Sequence, residues 1–309
     1  MSGAVEPRRV VVSICTYRRN EPLRRLLGAL AAQANSIETM TVGVSIIDDS
    51  PEAGARSVVS QFEGRFSGGI GYTSTASGNI STARNAAIAT ALDMDADWVM
   101  FIDDDCLPHE RWIEIMASTQ QRTGADLVTG PVEDIAPPNA PAWLTQQPFL
   151  NLIAQYTDGE EPPYGTTANV FISAAWLRAH PDVRFRSQLG ELGGEDMVWF
   201  DTARSAGIVH RYSLHAPVYE QVPLERCRFG YQLRNKLWFG NTMYVTSSHR
   251  GEAPNRLLLR GIKYLVNGLA MPLRRIVRRE DPHLRYSLAT ICIGIGLVGG
   301  RFGLRLKHH

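Results

Sequence analysis

The stretch WVMFIDDD, residues 98–105, decides the fold class. Its first five residues are all apolar or aromatic, which is typical of a strand that is buried on both faces of a parallel sheet. Open parallel sheets bind their ligands beyond the carboxyl ends of their strands. The three aspartates that follow the strand are therefore predicted to lie at a ligand-binding edge.

The chain on either side of this stretch alternates between strand and helix patterns. The other predicted strands are residues 10–14, 41–47, 70–74 and 169–173, with a further extended segment at 212–219. The predicted helices are residues 20–30, 53–62, 81–92, 108–122 and 197–206. This alternation predicts an α/β fold, Rossmann-like, whose mostly parallel sheet is covered by helices on both faces.

The aspartate triplet has the chemistry of a cation site. Three adjacent carboxylates repel one another unless a cation or donor groups neutralise them, and oxygen ligands favour Mg²⁺ or Mn²⁺. Such an ion would bridge the two phosphates of a nucleotide diphosphate. Side chains alternate along an extended segment, so we expect Asp105 to hold the metal and Asp103 to contact the ribose or the metal. The alternative is that the triplet caps the helix near Pro108.

Two further acidic pairs lie where strands or loops end. Asp48 and Asp49 follow the second predicted strand, and a simple turn is an equal alternative to a functional site there. Glu195 and Asp196 follow two glycines that permit a tight turn. The alternative for this second pair is an acidic first turn on the helix that follows, stabilised by the helix dipole.

Charge is distributed unevenly along the 309 residues, although the net charge is +1. Residues 250–309 hold twelve Lys or Arg and three acidic residues, a net charge of +9, so residues 1–249 carry −8. The basic segment includes an apolar, glycine-rich stretch at 288–300, which is shorter than the roughly 20 residues of a membrane-spanning helix. We expect this segment to lie on an anionic membrane surface. The alternative is a tail packed on the main domain.

The cysteines and the N-terminus both favour a cytoplasmic location. Four cysteines lie far apart without CxxC spacing, which favours neither a zinc site nor a disulfide framework. The first apolar run, residues 10–14, is too short for a signal peptide. We therefore expect a protein of the reducing cytoplasm, held peripherally on the inner face of the cell membrane.

Five motifs in this order resemble the signature of family 2 glycosyltransferases. They are SICTYRR at 13–19, IIDDS at 46–50, GNISTARN at 78–85, FIDDD at 101–105 and GED at 194–196. The segment YEQVPLER at 219–226 is similar to the succinoglycan-type exopolysaccharide branch. The resemblance implies a GT-A fold, a nucleotide-diphosphate sugar donor, a divalent cation and inversion at the anomeric carbon.

The resemblance also assigns roles to single residues. The implied nucleotide-sugar contacts are Thr16, Tyr17, Arg19, Asp48, Asp49, Arg84, Asp103 and Asp104. Among them, Thr16 and Tyr17 would line the nucleobase pocket, and Asp48 or Asp49 would accept a hydrogen bond from the base. Arg84 would lie against the base or the phosphates.

The catalytic and metal-binding roles follow from the same resemblance. Asp196 would be the general base, and Glu195 an acceptor contact or a structural residue. The implied metal ligands are Asp103, Asp105 and Glu220, holding Mn²⁺ or Mg²⁺. Where many relatives have a histidine ligand, this chain offers His215 and Glu220, of which Glu220 matches the exopolysaccharide branch better.

We accordingly predict two functional parts. Residues 1–249 form the catalytic domain, with a nucleotide-sugar half at 1–130 and an acceptor and catalytic half at 131–249, and residues 250–309 associate with the membrane. Aromatic residues in the loop at 135–163 are expected to contact the acceptor. The predicted reaction transfers a single sugar from a UDP-sugar to a glycan or lipid-linked glycan in cell-surface polysaccharide biosynthesis, with no nucleic-acid partner.

Two rival functions fit the sequence less well than glycosyl transfer. A nucleotidyltransferase would normally carry a glycine-rich phosphate loop after the first strand, and residues 15–20 contain no glycine. A non-catalytic membrane-surface adaptor would keep the fold with a broken acidic constellation, whereas the acidic motifs here look intact.

Overall fold

The computed structural model describes residues 7–150 and 156–307, and the chain divides into two compact units. The first unit comprises Met1–Glu133, Ile153–Ser187 and Trp199–Glu220. The second comprises Asp134–Leu152, Gln188–Val198 and Gln221–His309. Residues 151–155 of the predicted acceptor loop lie outside the described residues.

The strands include the five predicted at residues 10–14, 41–47, 70–74, 98–102 and 169–173, together with short ones that the sequence pattern did not predict. They are β1 Arg8–Thr16, β2 Met40–Asp48, β3 Ile70–Ser74, β4 Trp98–Ile102, β5 Cys106–Pro108, β6 Leu127–Thr129, β7 Val132–Ile135, β8 Asn169–Ser173, β9 His210–Tyr212 and β10 Val218–Gln221. The helices are α1 Asn20–Ala34, α2 Arg56–Val59, α3 Ile80–Asp93, α4 Trp112–Thr123, α5 Ala142–Gln146, α6 Ala174–Ala179, α7 Glu195–Ser205, α8 Phe229–His249, α9 Pro254–Val277 and α10 Leu284–Arg301.

Within the described part of the chain, seven strands form one sheet in the order β3-β2-β1-β4-β8-β6-β9. Strand β8 is antiparallel to both of its neighbours, β4 and β6. The pairs β2–β3, β1–β2, β1–β4 and β6–β9 are parallel. The predicted α/β fold with a mostly parallel sheet is thus confirmed.

The two faces of this sheet are covered by different cores. Alternate residues of β1 point to opposite faces, as expected for a strand. Val10, Val12 and Ile14 pack with the leucines of α1, whereas Val11 packs with the alanines of α3. A strand that is apolar at consecutive positions can therefore be buried on both sides, as the sequence pattern predicts.

Three local predictions differ from the structure. The helix predicted from Pro108 is wrong at its start, because Cys106–Pro108 pairs with β10 and the helix begins at Trp112. The helix predicted at 53–62 is the short α2 followed by a 3-10 turn at Ser60–Phe62. The extended segment predicted at 212–219 is two separate short strands, β9 and β10.

The second unit is built around three long helices, α8, α9 and α10. Glycines allow their backbones to approach closely, since a Cβ on Gly268 would lie 2.9 Å from the Ser287 carbonyl oxygen. A Cβ on Gly294 would lie equally near the carbonyl oxygen of Gly261. The boundary predicted after residue 249 falls inside this unit, because α10 packs on α8 as well as on α9.

Within the described residues, no helix combines the length and the apolar character needed to cross a membrane.

Candidate active site

The carboxyl ends of β1, β2 and β4 form a polar edge in the first unit. β1 lies between β2 and β4, and the last residue of β1, Thr16, pairs in register with Asp48. Asp49 and the triplet 103–105 follow directly after β2 and β4. Parallel neighbours end at one edge of a sheet, which is why these separate motifs of the sequence meet in space.

Asp104 is the buried centre of this edge. Its carboxylate accepts hydrogen bonds from Thr16 Oγ1 at 2.7 Å and from Arg19 Nη1 at 2.9 Å. Burial raises the pKa of Asp104 to about 6, although the Arg19 charge and the Thr16 hydroxyl act in the opposite direction. Asp104 therefore joins the loop after β1 to the loop after β4.

Arg19 also holds the neighbouring carboxylate, with its Nη1 at 2.7 Å from Asp105 Oδ2. Although partial burial opposes ionisation, the charges of Asp104 and Asp105 raise the pKa of Arg19 above its usual range. A charge-assisted hydrogen bond of this kind fixes the direction of a carboxylate. Arg19 therefore orients two members of the triplet.

The triplet differs from residue to residue in its exposure. The Asp103 side chain is 45% exposed and that of Asp105 is 14% exposed, whereas that of Asp104 is 5% exposed. Arg84 Nη2 lies 3.9 Å from Asp103 Oδ1. Asp103 thus presents its carboxylate to the surface beside a buried guanidinium.

Asp48 organises the loop that follows β2. It is fully buried and accepts hydrogen bonds from Ser50, Ala55 and Tyr72, at 2.5 to 3.0 Å. Burial favours the neutral acid, but the hydrogen bonds to Ser50, Ala55 and Tyr72 outweigh it and lower the pKa of Asp48. This is the arrangement of a residue that builds a turn.

Asp49 connects the same loop to the segment that leads into α3. Its Oδ1 accepts from Thr75 Oγ1 at 2.6 Å and from both the backbone and the hydroxyl of Ser77 at 2.7 Å. Its Oδ2 accepts from the Asn79 backbone at 2.7 Å. Asn79 in turn caps α3 by accepting from Thr82. Asp49 therefore sets the start of the helix that carries Arg84.

Arg84 and Tyr17 have contrasting environments. Arg84 is buried, with its guanidinium 5.7 Å from the centre of the Phe185 ring. Asn85 holds Phe185 in place through two hydrogen bonds to its backbone, at 2.8 and 3.0 Å. Tyr17 is exposed, and the next residue, Arg18, has a positive φ of 56°. The Tyr17 ring thus lies at the surface, with the Arg18 guanidinium 5.2 Å from its centre.

Glu220 lies beside the triplet in the first unit. It pairs with Cys106 across the antiparallel β5–β10 ladder, and Cys106 directly follows Asp105. Burial raises the pKa of Cys106, and the negative charges of Asp103, Asp105 and Glu220 raise it further. These three carboxylates thus share one electrostatic environment.

The acidic edge does not form a complete set of metal ligands in the described part of the chain. Among residues 7–150 and 156–307, no group of three or more His, Cys, Asp or Glu side chains converges as a ready-made cation site. Carboxylate oxygens such as those of Asp103 and Asp105 nevertheless suit a hard cation that takes its remaining ligands from a diphosphate and water. With those additional ligands, the carboxylate oxygens would suit Mg²⁺ or Mn²⁺.

The comparison with protein families shows which family the chain belongs to. The family model described as glycosyl transferase family 2 matches residues 11–181, which contain most of β1, all of β2 to β4, and the aspartates that follow β2 and β4. The chain is a family 2 glycosyltransferase.

Relatives of this glycosyltransferase extend the match beyond the family model. The succinoglycan biosynthesis protein ExoM of Rhizobium meliloti is 29% identical over 301 residues, which cover 95% of this chain and 93% of ExoM. Glycosyltransferase AglE of Haloferax volcanii is 27% identical over 207 residues, which cover 64% of this chain and 62% of AglE. The chain therefore spans less than two thirds of AglE but nearly all of ExoM.

Solved structures agree with the predicted fold. S. aureus TarS 1–349 in complex with UDP matches this chain with a TM-score of 0.53 and 16% identity. The match covers 94% of this chain and 90% of the TarS chain. The same TarS fragment in complex with UDP-GlcNAc has a TM-score of 0.56 and 14% identity. At this identity the likeness shows the fold, and the expected GT-A architecture is confirmed.

The remaining two predicted site residues of the glycosyltransferase, Glu195 and Asp196, begin α7 in the second unit. Asp196 Oδ1 accepts from the Met197 backbone at 2.7 Å, and Glu195 is buried. The preceding Gly193 and Gly194 have φ values of +83° and +80°, which a residue with a Cβ adopts at a cost. The predicted tight turn is therefore present.

Sequence reasoning missed what holds this turn. Trp238 Nε1 and Thr242 Oγ1, both on α8, donate to the Leu192 carbonyl at 2.9 and 3.0 Å. A Cβ on Gly194 would lie 2.8 Å from Thr242 Cγ2, so the second glycine is also required by close packing. No signal near residues 193–196 identifies these partners, because they lie about fifty residues further along the chain.

The predicted acceptor contacts in the loop at 135–163 are partly wrong. Phe149 is buried, with its ring 5.0 Å from Trp143 and 5.3 Å from Tyr286 of α10. Trp143 also packs on Phe229 at the start of α8. These aromatic residues form a core of the second unit, so Phe149 is not an acceptor contact.

Proposed function

We propose that this enzyme transfers a single sugar, with inversion, from a UDP-sugar to a glycan or lipid-linked glycan acceptor in cell-surface polysaccharide biosynthesis. The observation that carries the proposal is the burial and hydrogen bonding of the three aspartates at 103–105. Asp104 is buried and bound by Thr16 and Arg19, Asp105 is held by the same arginine, and the Asp103 side chain is 45% exposed at the sheet edge. This arrangement suits a nucleotide diphosphate with its cation.

The proposed donor contacts follow the geometry of the edge. Thr16, Tyr17 and Arg84 are proposed to surround the nucleotide, with the Tyr17 ring against the base. Of Asp48 and Asp49, the second is the better candidate to accept from the base. Its Oδ2 accepts a single hydrogen bond from the described residues, whereas both Asp48 oxygens accept two. A carboxylate oxygen with a remaining lone pair can accept another donor.

Support for uridine as the base comes from the related fold of TarS, whose structures are in complex with UDP and UDP-GlcNAc. Asp103 and Asp105 are the proposed ligands of Mn²⁺ or Mg²⁺, with Glu220 as a third carboxylate nearby. When bound, this cation would stabilise the negative charge of the departing diphosphate. Arg19 keeps Asp105 and Asp104 in a fixed orientation.

Asp196 is the proposed general base. The acceptor oxygen attacks the anomeric carbon, the bond from that carbon to the diphosphate oxygen breaks, and the acceptor proton passes to the Asp196 carboxylate. The start of α7 favours the ionised carboxylate because the helix N-terminus carries partial positive charge. Glu195 is the proposed acceptor contact. The support for both roles is the family motif together with the held glycine turn.

The proposed pathway and location rest on other observations. Similarity to ExoM over 95% of the chain supports an exopolysaccharide acceptor. The net charge of +9 in residues 250–309 supports peripheral attachment to the anionic, cytoplasmic face of a cell membrane. The proposed functional division, with donor binding in 1–130, acceptor binding and catalysis in 131–249, and membrane association in 250–309, follows the same reasoning.

The test is thermal stability in the presence of UDP-, GDP- and dTDP-sugars, each with and without Mn²⁺. A ligand that binds the folded state raises the melting temperature. We expect one UDP-sugar to stabilise the wild-type protein in a Mn²⁺-dependent way, and Asp105→Ala to abolish this shift. The matched control Asp93→Asn, an exposed acidic residue at the end of α3, should keep it. A shift that Asp105→Ala leaves intact would refute the proposed metal and donor site.

A further inference from the structure

Helix α9 exposes a continuous apolar stripe in the second unit. The stripe consists of Leu259, Ile262, Val266, Leu269, Leu273 and Ile276. These residues recur at alternating spacings of three and four, which places them on one side of a helix. Leu269 and Leu273 are 72% and 67% exposed, far more than is usual for leucine. At 24 residues, α9 is about 36 Å long, and the stripe runs along most of that length.

Basic residues border this stripe. At 3.6 residues per turn, the exposed Arg256, Lys263 and Arg274 fall along one side of it. The sequence of α9 contains no Asp or Glu, and Arg278 and Arg279 follow its last turn. An apolar face bordered by positive charge is complementary to the surface of an anionic bilayer.

The opposite side of α9 is already covered within the unit. Leu257, Gly261 and Gly268 are buried, and a Cβ on Gly261 would lie 3.2 Å from Leu297 Cβ of α10. The apolar stretch at 288–300, expected from the sequence to meet the membrane, is instead largely turned inward, with Ile293 and Leu297 buried. Hence α10 is the internal support, and α9 carries the exposed face.

A second copy of the chain is a poorer occupant for this face. Two copies of α9 packed antiparallel, stripe to stripe, would bring their basic borders close together, with no acidic residue of α9 to pair with them. Like charges so placed are destabilising. Anionic lipid headgroups would instead pair with those borders while the leucines enter the apolar layer.

We propose that α9 lies in the plane of an anionic membrane, with the stripe from Leu259 to Ile276 inserted at the headgroup boundary. This inference rests on the proposed membrane location of the enzyme and names the element that produces it. The structure assigns insertion to α9 and a supporting role to α10. The helix lies on the bilayer, because it lacks the composition needed to cross it.

The test is co-sedimentation of the full chain with vesicles of phosphatidylcholine and phosphatidylglycerol in equal parts, and with vesicles of phosphatidylcholine alone. Leu269→Asp together with Leu273→Asp introduces two charges into the stripe. Val209→Asp together with Leu224→Asp introduces the same two charges at exposed apolar positions outside α9. We expect the stripe variant to reduce partitioning onto anionic vesicles at least about ten-fold, and the control variant to bind like the wild type.

A second variant separates the effect of charge from that of insertion. It combines Arg256→Gln, Lys263→Gln and Arg274→Gln, and it should reduce the preference for anionic vesicles over vesicles of phosphatidylcholine alone. If the stripe variant binds as tightly as the wild type, another segment carries adsorption and α9 is not the docking element. If the wild type binds no vesicle but forms an oligomer that the stripe variant dissociates, the face joins two copies and the proposal is overturned. Donor-dependent thermal shifts of the same preparations measure donor binding separately, so the proposed donor site can fail while the membrane proposal holds, and the reverse.

Discussion

The aspartates after β2 and those after β4 look alike in sequence but have different environments. Asp48 and Asp49 are both buried and accept hydrogen bonds from their own loop and from the segment before α3. After β4, Asp104 alone is buried, and Asp103 is 45% exposed. Acidic residues at neighbouring strand ends therefore have different roles. Asp48 and Asp49 shape the loops, and we propose that the aspartates after β4 present charge to a ligand.

The largest effect expected from this division is on catalysis. Asp105→Asn should lower kcat/KM about 10³-fold, equivalent to about 4 kcal/mol, because it weakens the proposed cation site while keeping the side-chain size. The melting temperature without ligand should change little. Steady-state kinetics with the UDP-sugar identified by thermal shift would measure this. Nearly normal activity in Asp105→Asn, measured against Asp93→Asn as the reference, would mean that Asp105 is not part of the proposed cation site.

Asp48→Ala should show the reverse pattern. The variant leaves buried donors of Ser50, Ala55 and Tyr72 without their acceptor, so we expect the free energy of unfolding to fall by about 3 kcal/mol. Urea denaturation at neutral pH would measure the loss. A variant as stable as the wild type, but without donor binding, would mean that Asp48 is a ligand contact and not a loop-building residue.

The third acidic group, Glu195 and Asp196, depends on the glycine turn that precedes it. Gly194→Ala should lower the free energy of unfolding by about 2 kcal/mol, because φ is +80° there and the new methyl group would meet Thr242 and Thr246. Gly230→Ala on α8, where a Cβ has open space, is the control. Equal stabilities of the two variants would show that α7 does not need this turn.

The smallest effect concerns pH. The pKa of Asp104 is about 6 in the folded protein and about 3.9 in an unfolded chain, so this group contributes stability at low pH and loses it as pH rises through 6. Relative to Asp104→Asn, the wild type should gain stability between pH 7 and pH 5, by at most about 1.4 kcal/mol per pH unit. Chemical denaturation at both pH values would measure it. A stability difference that stays constant between pH 7 and pH 5 would mean that Arg19 keeps Asp104 ionised throughout that range.

Much of the fold was predictable because its signals are local. Residues 70–74, 98–102 and 169–173 are strands at the predicted limits, since apolar runs and their flanking turns lie within a few residues of each other. Pro108 misled the helix prediction because its own neighbours resemble a helix start. Its strand pairing is made with β10, more than one hundred residues away. Such pairing leaves no local pattern.

The candidate site was predictable as a set of motifs but not as an arrangement. The order of acidic and basic motifs indicated the family, which the family match confirmed. Arg19 was predicted as a nucleotide-sugar contact, and that role stays a prediction. Its hydrogen bonds to Asp104 and Asp105 join residues 85 and 86 positions apart, and no spacing rule predicts them. Likewise, the sequence alone does not show which face of α9 is exposed, because that depends on α10 covering the opposite face.

The sequence by itself determined the alternation of strands and helices, the carboxylates at strand ends and the basic character of the last sixty residues. These properties depend on side-chain periodicity and composition, which are set residue by residue. The tertiary structure decided which carboxylates are occupied by internal hydrogen bonds, why two glycines precede Glu195, and which apolar helix face stays exposed. Those outcomes depend on which groups desolvate one another, and that is set by packing between segments far apart in the chain.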